Sequence, residues 1–146
     1  MATYSFMDVN ASLTGPTGII DLGYGSANAD EGITVTMAEN KNNMAIGADG
    51  EGQHSLIAGK SGTVTINLLK TSPVNKKLSL MYNAQTLSSA LWGNNVIVIN
   101  NSASGDLVTA RSCAFQKHPD YNNPKVAGIV AWVFDVIKID QVLGEY

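Results

Sequence analysis

Cysteine, arginine, histidine and charge are all scarce in this chain of 146 residues, and each shortage excludes something. Cys113 is the only cysteine, so no intramolecular disulfide can form. Arg111 is the only arginine, which leaves no arginine-rich patch for recognising phosphate. His54 and His118 are the only histidines, and with one cysteine they make no cluster of zinc-ligand spacing. Charged residues are 14% of the chain, against about 25% in an ordinary soluble protein. The formal net charge of −3 argues against a basic nucleic-acid-binding surface. Aromatics are 7%, too few to give the aromatic platform of a typical carbohydrate-binding module, so that class ranks low. No apolar run reaches the roughly 18 residues a membrane helix needs, and no membrane anchor is expected. The start, MATYSFMDVN, lacks the basic opening and apolar stretch of a secretory signal, so a reducing cytoplasm is the expected setting.

What remains is polar but uncharged. Asn, Ser, Thr and Gly stand where charge usually stands. A surface of that kind is compatible with burial against other protein and poorly suited to keeping monomers apart. Apolar residues are 45%, enough for one real core without metal or disulfide, and the length predicts a single domain over residues 1–146.

Candidate chemistry fails on inspection. Gly59-Lys60-Ser61 resembles the end of a phosphate loop, but His54 stands where its first glycine belongs. The segment also leads into a strand, whereas an anion needs a helix N-terminus. The run Gly47 to Gly52 hints at a calcium loop, yet Ala45 and Gly47 would fall at ligand positions, so it reads as a turn. Cys113 sits in an apolar strand pattern and reads as a buried, inert thiol. A small hydrolase built on Cys113, His54 and His118 is the weakest class. Asp8, Asp49, Asp135 and Asp140 form no readable carboxylate pair. The Asn10 and Asn100 sequons carry no meaning without secretion. No cofactor, metal or catalytic residue is expected.

The hydropathy pattern is mostly β. Ile33, Val35 and Met37 alternate with Thr34 and Thr36; Val64, Ile66 and Leu68 alternate with Thr63, Thr65 and Asn67. Asn95 to Asn100, a turn ending at Gly105-Asp106, and the run from Leu107 to Phe115 predict a hairpin. Gly128 to Asp140 predicts a long strand covered on both faces. Further strands are expected at Tyr4–Leu13, Gly18–Leu22, Met44–Ala48 and His54–Ala58. One helix is signalled: Ser72 can cap it, Pro73 suits its first position, and Val74, Leu78, Met81 and Tyr82 recur at helical spacing to about Ala84. A second short helix is expected between Gln85 and Gly93. Trp92 reads as a turn anchor and Trp132 as a core residue. Gly23 to Gly32 and Glu39 to Gly52 read as long Gly- and Asn-rich loops, and loops of that length usually have a function.

The stretch GKSGTVTINLLKTSPVNKKLSLMYNAQTLSSALWGNNVIVINNSASGD resembles the tail tube proteins of contractile-tailed bacteriophages. Its core, SGTVTINLLKTSPVNKKL, is the most telling part. TYSFMDVNASLTGPTGIIDLGYG, NNMAIGADGEGQHSL and AWVFDVIKIDQVLGEY are similar to the same family, so nearly the whole chain is covered. The resemblance implies a mainly β fold, an antiparallel β-sandwich or barrel with one flanking α-helix. It implies hexameric rings stacked into a hollow tube inside a sheath, a structural virion protein and not an enzyme. The expected partners are further copies of the chain, the tail sheath, baseplate or hub and terminator proteins, and a tape measure protein and passing DNA in the lumen. Assembly would take place in the cytoplasm of the bacterial host. A type VI secretion tube or another phage-derived contractile injection system would use the same architecture, and a ligand-binding β-sandwich is the remaining alternative.

Within that frame the residues take expected places. The loop carrying Glu39, Asn40, Asn42, Asn43, Asp49 and Glu51 would touch a neighbouring subunit or ring. So would the N-terminal segment Ala2 to Leu13, with Tyr4 and Phe6. Thr34, Thr36, Thr63, Thr65 and Asn67 would line the channel, and the helix face of Lys76 and Lys77 would look outward. Sixfold repetition multiplies the net charge to −18, which suits a lumen that does not hold DNA.

Overall fold

A computed structural model describes residues 2–146. The strands are β1 (Val9–Gly15), β2 (Gly18–Asp21), β3 (Asn28–Met37), β4 (Asn42–Ile46), β5 (Gly52–Leu56), β6 (Gly62–Leu69), β7 (Asn95–Asn101), β8 (Asp106–Phe115) and β9 (Ile129–Val142). One helix, α1 (Val74–Gln85), follows β6. Seven strands form one antiparallel sheet in the order β2-β1-β7-β8-β9-β6-β3, while β4 and β5 pair only with each other. The large sheet curls into a half-barrel, and its concave face holds the core.

Period-two patterning builds that face. Val64, Ile66 and Leu68 on β6 lie beside Val130, Trp132 and Phe134 on β9, and all but the half-buried Val130 are fully or almost fully buried. Ile33 and Val35 continue the row on β3. The helix lays Val74, Leu78 and Met81 on the core. Phe115, Trp132, Phe134, Tyr82 and His118 form a chain of ring contacts with centroids 4.7–5.9 Å apart. Trp132 Nε1 donates to Asn75 Oδ1 at 3.0 Å, which ties the helix to the sheet.

Two polar side chains are buried within this core and satisfy each other. Gln85 Nε2 donates to Asn95 Oδ1 at 2.7 Å, and Asn95 Nδ2 donates to Gln85 Oε1 at 2.8 Å. Both residues are fully buried. A Cβ at Gly15 would overlap Asn95 Oδ1, so the pair also requires glycine there. Asn95→Ala leaves Gln85 Oε1 without its donor, with Nε2 held only by Thr17 Oγ1, and should destabilise the chain by about 2–3 kcal/mol. Pairing it with Gln85→Ala should cost less than the two separate losses together. Chemical denaturation of the three variants measures both.

Several boundaries differ from the sequence expectations. The strand expected from Tyr4 starts at Val9, because Phe6–Asp8 form a single 3-10 turn capped by Ser5. The loop expected from Gly23 to Gly32 ends at Asn28, where β3 starts, and a register irregularity between Asn28 and Ile33 absorbs the glycine. The loop expected from Glu39 to Gly52 is a hairpin: β4, a turn with Gly50 at φ 89°, and the first residue of β5. The second helix is absent. Residues 86–94 form successive turns, closed by Gly93 at φ 79°. Ser72 lies one position further from the helix than expected, with Pro73 at the cap, yet its Oγ accepts from Val74 N and donates to Ser26 O.

Candidate functional site

Among the described residues, the side chains show no catalytic constellation. Cys113 is fully buried, and burial pushes its thiol up to about 11, so it is no nucleophile at neutral pH. His54 bonds Asn42, while His118 bonds Ser79 and meets the Tyr82 and Trp132 rings edge-on. Among the described residues, no group of three or more His, Cys, Asp or Glu could hold a metal ion. Among the same residues, no helix is long and apolar enough to cross a membrane. The candidate sites are therefore surfaces.

The first is the convex face of the sheet. Thr34 lies opposite Thr65 and Thr36 opposite Thr63 across the β3–β6 ladder, all pointing away from the core. The structure thus brings four of the five expected channel residues into one exposed or half-exposed patch. Asn67 shares their face by register, but it is only 8% exposed, and its amide donates to Gly32 O. A Cβ at Gly62, at the foot of β6, would overlap Thr36 O, so glycine permits the close β3–β6 approach.

Charge on this face comprises Asp135, exposed opposite Thr63, and a small knot. Asp140 accepts from Lys60 at 3.0 Å and from Arg111 at 2.6 Å, and Lys138 lies opposite Arg111. The Lys60 hydrogen bond, with the positive charges of Lys60 and Arg111, holds the Asp140 carboxyl below its ordinary value. A depressed carboxylate stabilises the fold above its unfolded pKa, and that contribution disappears as pH falls through the folded value. The groups are exposed, so the effect on stability is small. Titration by NMR should place Asp140 below 3.8, and Lys60→Met should move it upward.

The second surface is the β4–β5 arm. Every residue of both strands is exposed. Register puts Met44, Ile46, His54 and Leu56 on one side and Asn43, Ala45, Gln53 and Ser55 on the other. Met44, Ile46 and Leu56 are 58, 60 and 84% exposed. The residues named from sequence lie at the base and tip of this arm. Glu39 packs its carboxylate against Gly59 at the base, and Asp49 accepts from Glu51 N at the tip. Sequence reasoning missed the apolar side chains between them. The alternation in NNMAIG was the available signal.

The third surface is a groove of about 590 Å³ where the N-terminal segment, β3, the β7–β8 turn and the last residues meet. Tyr4 and Phe6 line it, with Phe6 edge-on to Tyr24. Of the N-terminal segment expected to reach a neighbour, Val9 to Leu13 is already paired within the chain as β1, which leaves residues 2–8 for other contacts. The helix face with Lys76 and Lys77 is exposed. The chain presents 9114 Å² of surface, about 1,900 Å² more than a compact monomer of this size.

The family model described as Bacteriophage PhiTE tail tube protein matches residues 1–144. No curated relative matches by sequence. Among solved structures, the chain is similar to the sheath/tube terminator of the PVC extracellular contractile injection system in its extended state. That match has a TM-score of 0.59 and 10% identity, over 97% of this chain and 98% of that one. It is also similar to the tube-terminating cap of the anti-feeding prophage, with a TM-score of 0.52 and 10% identity over 99% and 95% of the chains. A chain of the PVC sheath-tube complex matches at a TM-score of 0.50 and 7% identity, over 91% and 88%. At such identities the likeness establishes the fold.

Proposed function

The chain belongs to the bacteriophage PhiTE tail tube protein family, and we propose that it is a subunit of the hollow inner tube of a contractile tail. Six copies close a ring, rings stack, and the tube conducts the genome into the host. The role is structural, and the place of action is the virion.

The open half-barrel is the observation that carries this reading. Its terminal strands, β2 and β3, each pair on one side only. Ten residues of β3 offer a backbone edge, and such edges invite strand pairing unless they are covered. Closure between copies removes them, as barrels do. The convex threonine patch of Thr34, Thr36, Thr63 and Thr65 then faces the lumen as a wet, polar wall with Asp135 beside Thr63. Asn67 braces β3 beneath it. The arm, through Met44, Ile46 and Leu56 together with Asn42, Asn43, Asp49 and Glu51, reaches a neighbouring subunit or ring, and Tyr4 and Phe6 help form the same interface. The helix face looks toward a sheath. Terminator, hub and tape measure proteins complete the partner set, and DNA passes without sequence-specific contact.

The resemblance in fold to terminator and cap proteins favours one second reading, a ring that ends a tube. Negative-stain electron microscopy of the purified chain at high concentration, with size-exclusion chromatography, tests both. Stacked hollow tubes support the tube subunit. Rings that never stack support the terminator, and strict monomers absent from purified virions overturn both.

A further inference from the structure

Three cations stand in one row across the convex face. Lys60, just before β6, pairs with Lys138 of β9 in an isolated bridge, and Lys138 lies opposite Arg111 of β8. Neighbouring strands lie about 4.8 Å apart, so the backbones of the two outer residues are roughly 10 Å from each other. All three residues are exposed. Their face is fixed by their neighbours. Ile139 is buried in the core, so Lys138 and Asp140 on either side of it point away from the core. Lys60 and Arg111 both reach Asp140, which places them on the same face.

The row is not neutralised within the chain. Asp140 is shared by the outer cations, and the central Lys138 has no ion-pair partner among the described residues. Three cations against one carboxylate leave the row at net +2, on a chain whose net charge is −3. Asp135 lies three residues from Lys138 along β9, a distance of about 10 Å, and accepts from Gln116 Nε2. That exceeds the Debye length of about 8 Å at physiological salt, so Asp135 offsets the row little. Like charges directly opposite on neighbouring strands are destabilising, and the row repeats that arrangement twice. The fold gains nothing from it. An anion laid across the row would relieve it.

The surroundings suit phosphate. Arg111 gives one nitrogen to Asp140, and its planar fork carries further donors. Thr36, Thr63 and Thr109 share the face and add hydroxyls of the kind that contact phosphate oxygens.

We propose that the row of Lys60, Lys138 and Arg111 is a contact site for the phosphate backbone of nucleic acid. The site is a property of one subunit. On the reading that the convex face lines the channel, on which this further step rests, six copies turn the row into a basic belt around passing DNA. So few charges per copy make each contact weak and salt-sensitive, which suits DNA that must move on. The overall acidity of the chain conceals the row.

NMR titration of the subunit with a short DNA duplex at low salt tests the site. Shifts should centre on Lys60, Arg111 and Lys138, and not on Lys76 and Lys77 of α1, which packs on the concave side. Lys138→Gln should weaken binding severalfold and make the slope of log K against log salt shallower by about 0.9. Asp140→Asn should do the reverse, with tighter binding and a steeper slope. A damaged fold could mimic the first result but not the second. An oligo-glutamate peptide of equal charge should bind more weakly than the duplex. Shifts centred on Lys76 and Lys77, an Asp140→Asn variant that binds no tighter, or a glutamate peptide that binds as well as DNA each overturn the proposal, the last in favour of an acidic protein partner. The belt is tested separately on assembled tubes. A small amine-acylating reagent should modify both Lys76 and Lys138, whereas one carrying a bulky polymer should modify Lys76 and spare Lys138, as read by mass spectrometry. Bulky modification of Lys138 in tubes defeats the channel-facing reading and the belt with it. A subunit that forms no tubes defeats the belt in the same way, and the titration alone then decides the site.

Discussion

A chain whose arm is replaced by a two-residue Gly-Ser link between Glu39 and Lys60 is expected to fold as the parent does and to form no tubes. The fold should tolerate the loss because the arm's hydrogen-bonded ladder is its own. β4 pairs only with β5, and the base is already closed by Ala38 N donating to Ser61 O at 2.9 Å. Shortening a connection costs little entropy, and here it reduces what must be ordered. A two-stranded hairpin is marginal alone in water, and this one exposes Met44, Ile46 and Leu56 on one side. Such an element gains stability by being covered. Burying each of those side chains contributes about 1.5–3 kcal/mol for every copy in an assembly. Circular dichroism with thermal melting should show an unchanged monomer, while electron microscopy shows no tubes. Normal tubes from the shortened chain would remove the arm from the interface. A milder variant, Met44→Ser with Leu56→Ser, separates contact from length: it keeps the arm and should raise the assembly concentration severalfold.

The threonine strands were legible because period two is read directly from β3 and β6, whereas the pairing of Thr34 with Thr65 is a register between strands that alternation does not carry. Helix α1 was legible from its spacing and from Ser72-Pro73. The arm was half legible. Gly47, Asp49 and Gly50 announce a turn, but Asn42 and Asn43 have low strand propensity, and local composition outweighed the Met44–Ile46 alternation. The short helix expected between Gln85 and Gly93 failed for a tertiary reason. Gln85 is anchored to Asn95, so the chain must turn back within the intervening residues to start β7. The groove was invisible, because Tyr4, Glu31, Asp106 and Tyr146 meet only once the sheet curls. The interface chemistry therefore sits in side-chain sets that no linear motif gathers.

Phe134→Ala should be the most damaging single change to the monomer. Phe134 is fully buried on β9, the second strand of the longest pairings in the sheet. It lies opposite Val64 on one side and Phe115 on the other, with the two rings 4.7 Å apart at centroid. Removing the ring loses its transfer free energy and leaves a cavity between strands that share a ladder and cannot collapse freely. Such substitutions cost about 3–5 kcal/mol, a large part of the roughly 5–15 kcal/mol that holds a domain folded. Phe134→Leu keeps most of the volume and should cost about 1.5 kcal/mol or less. Thr65→Val, on the convex face, should change monomer stability by about 0.5 kcal/mol at most. Urea unfolding followed by tryptophan fluorescence reads all three, since Trp132 is buried beside Phe115. The measurement belongs at low protein concentration, because assembly stabilises only folded copies and would mask the loss by mass action. The contrast between Phe134 and Thr65 separates the two faces of one sheet: the concave face holds the fold together, and the convex face contributes little to it.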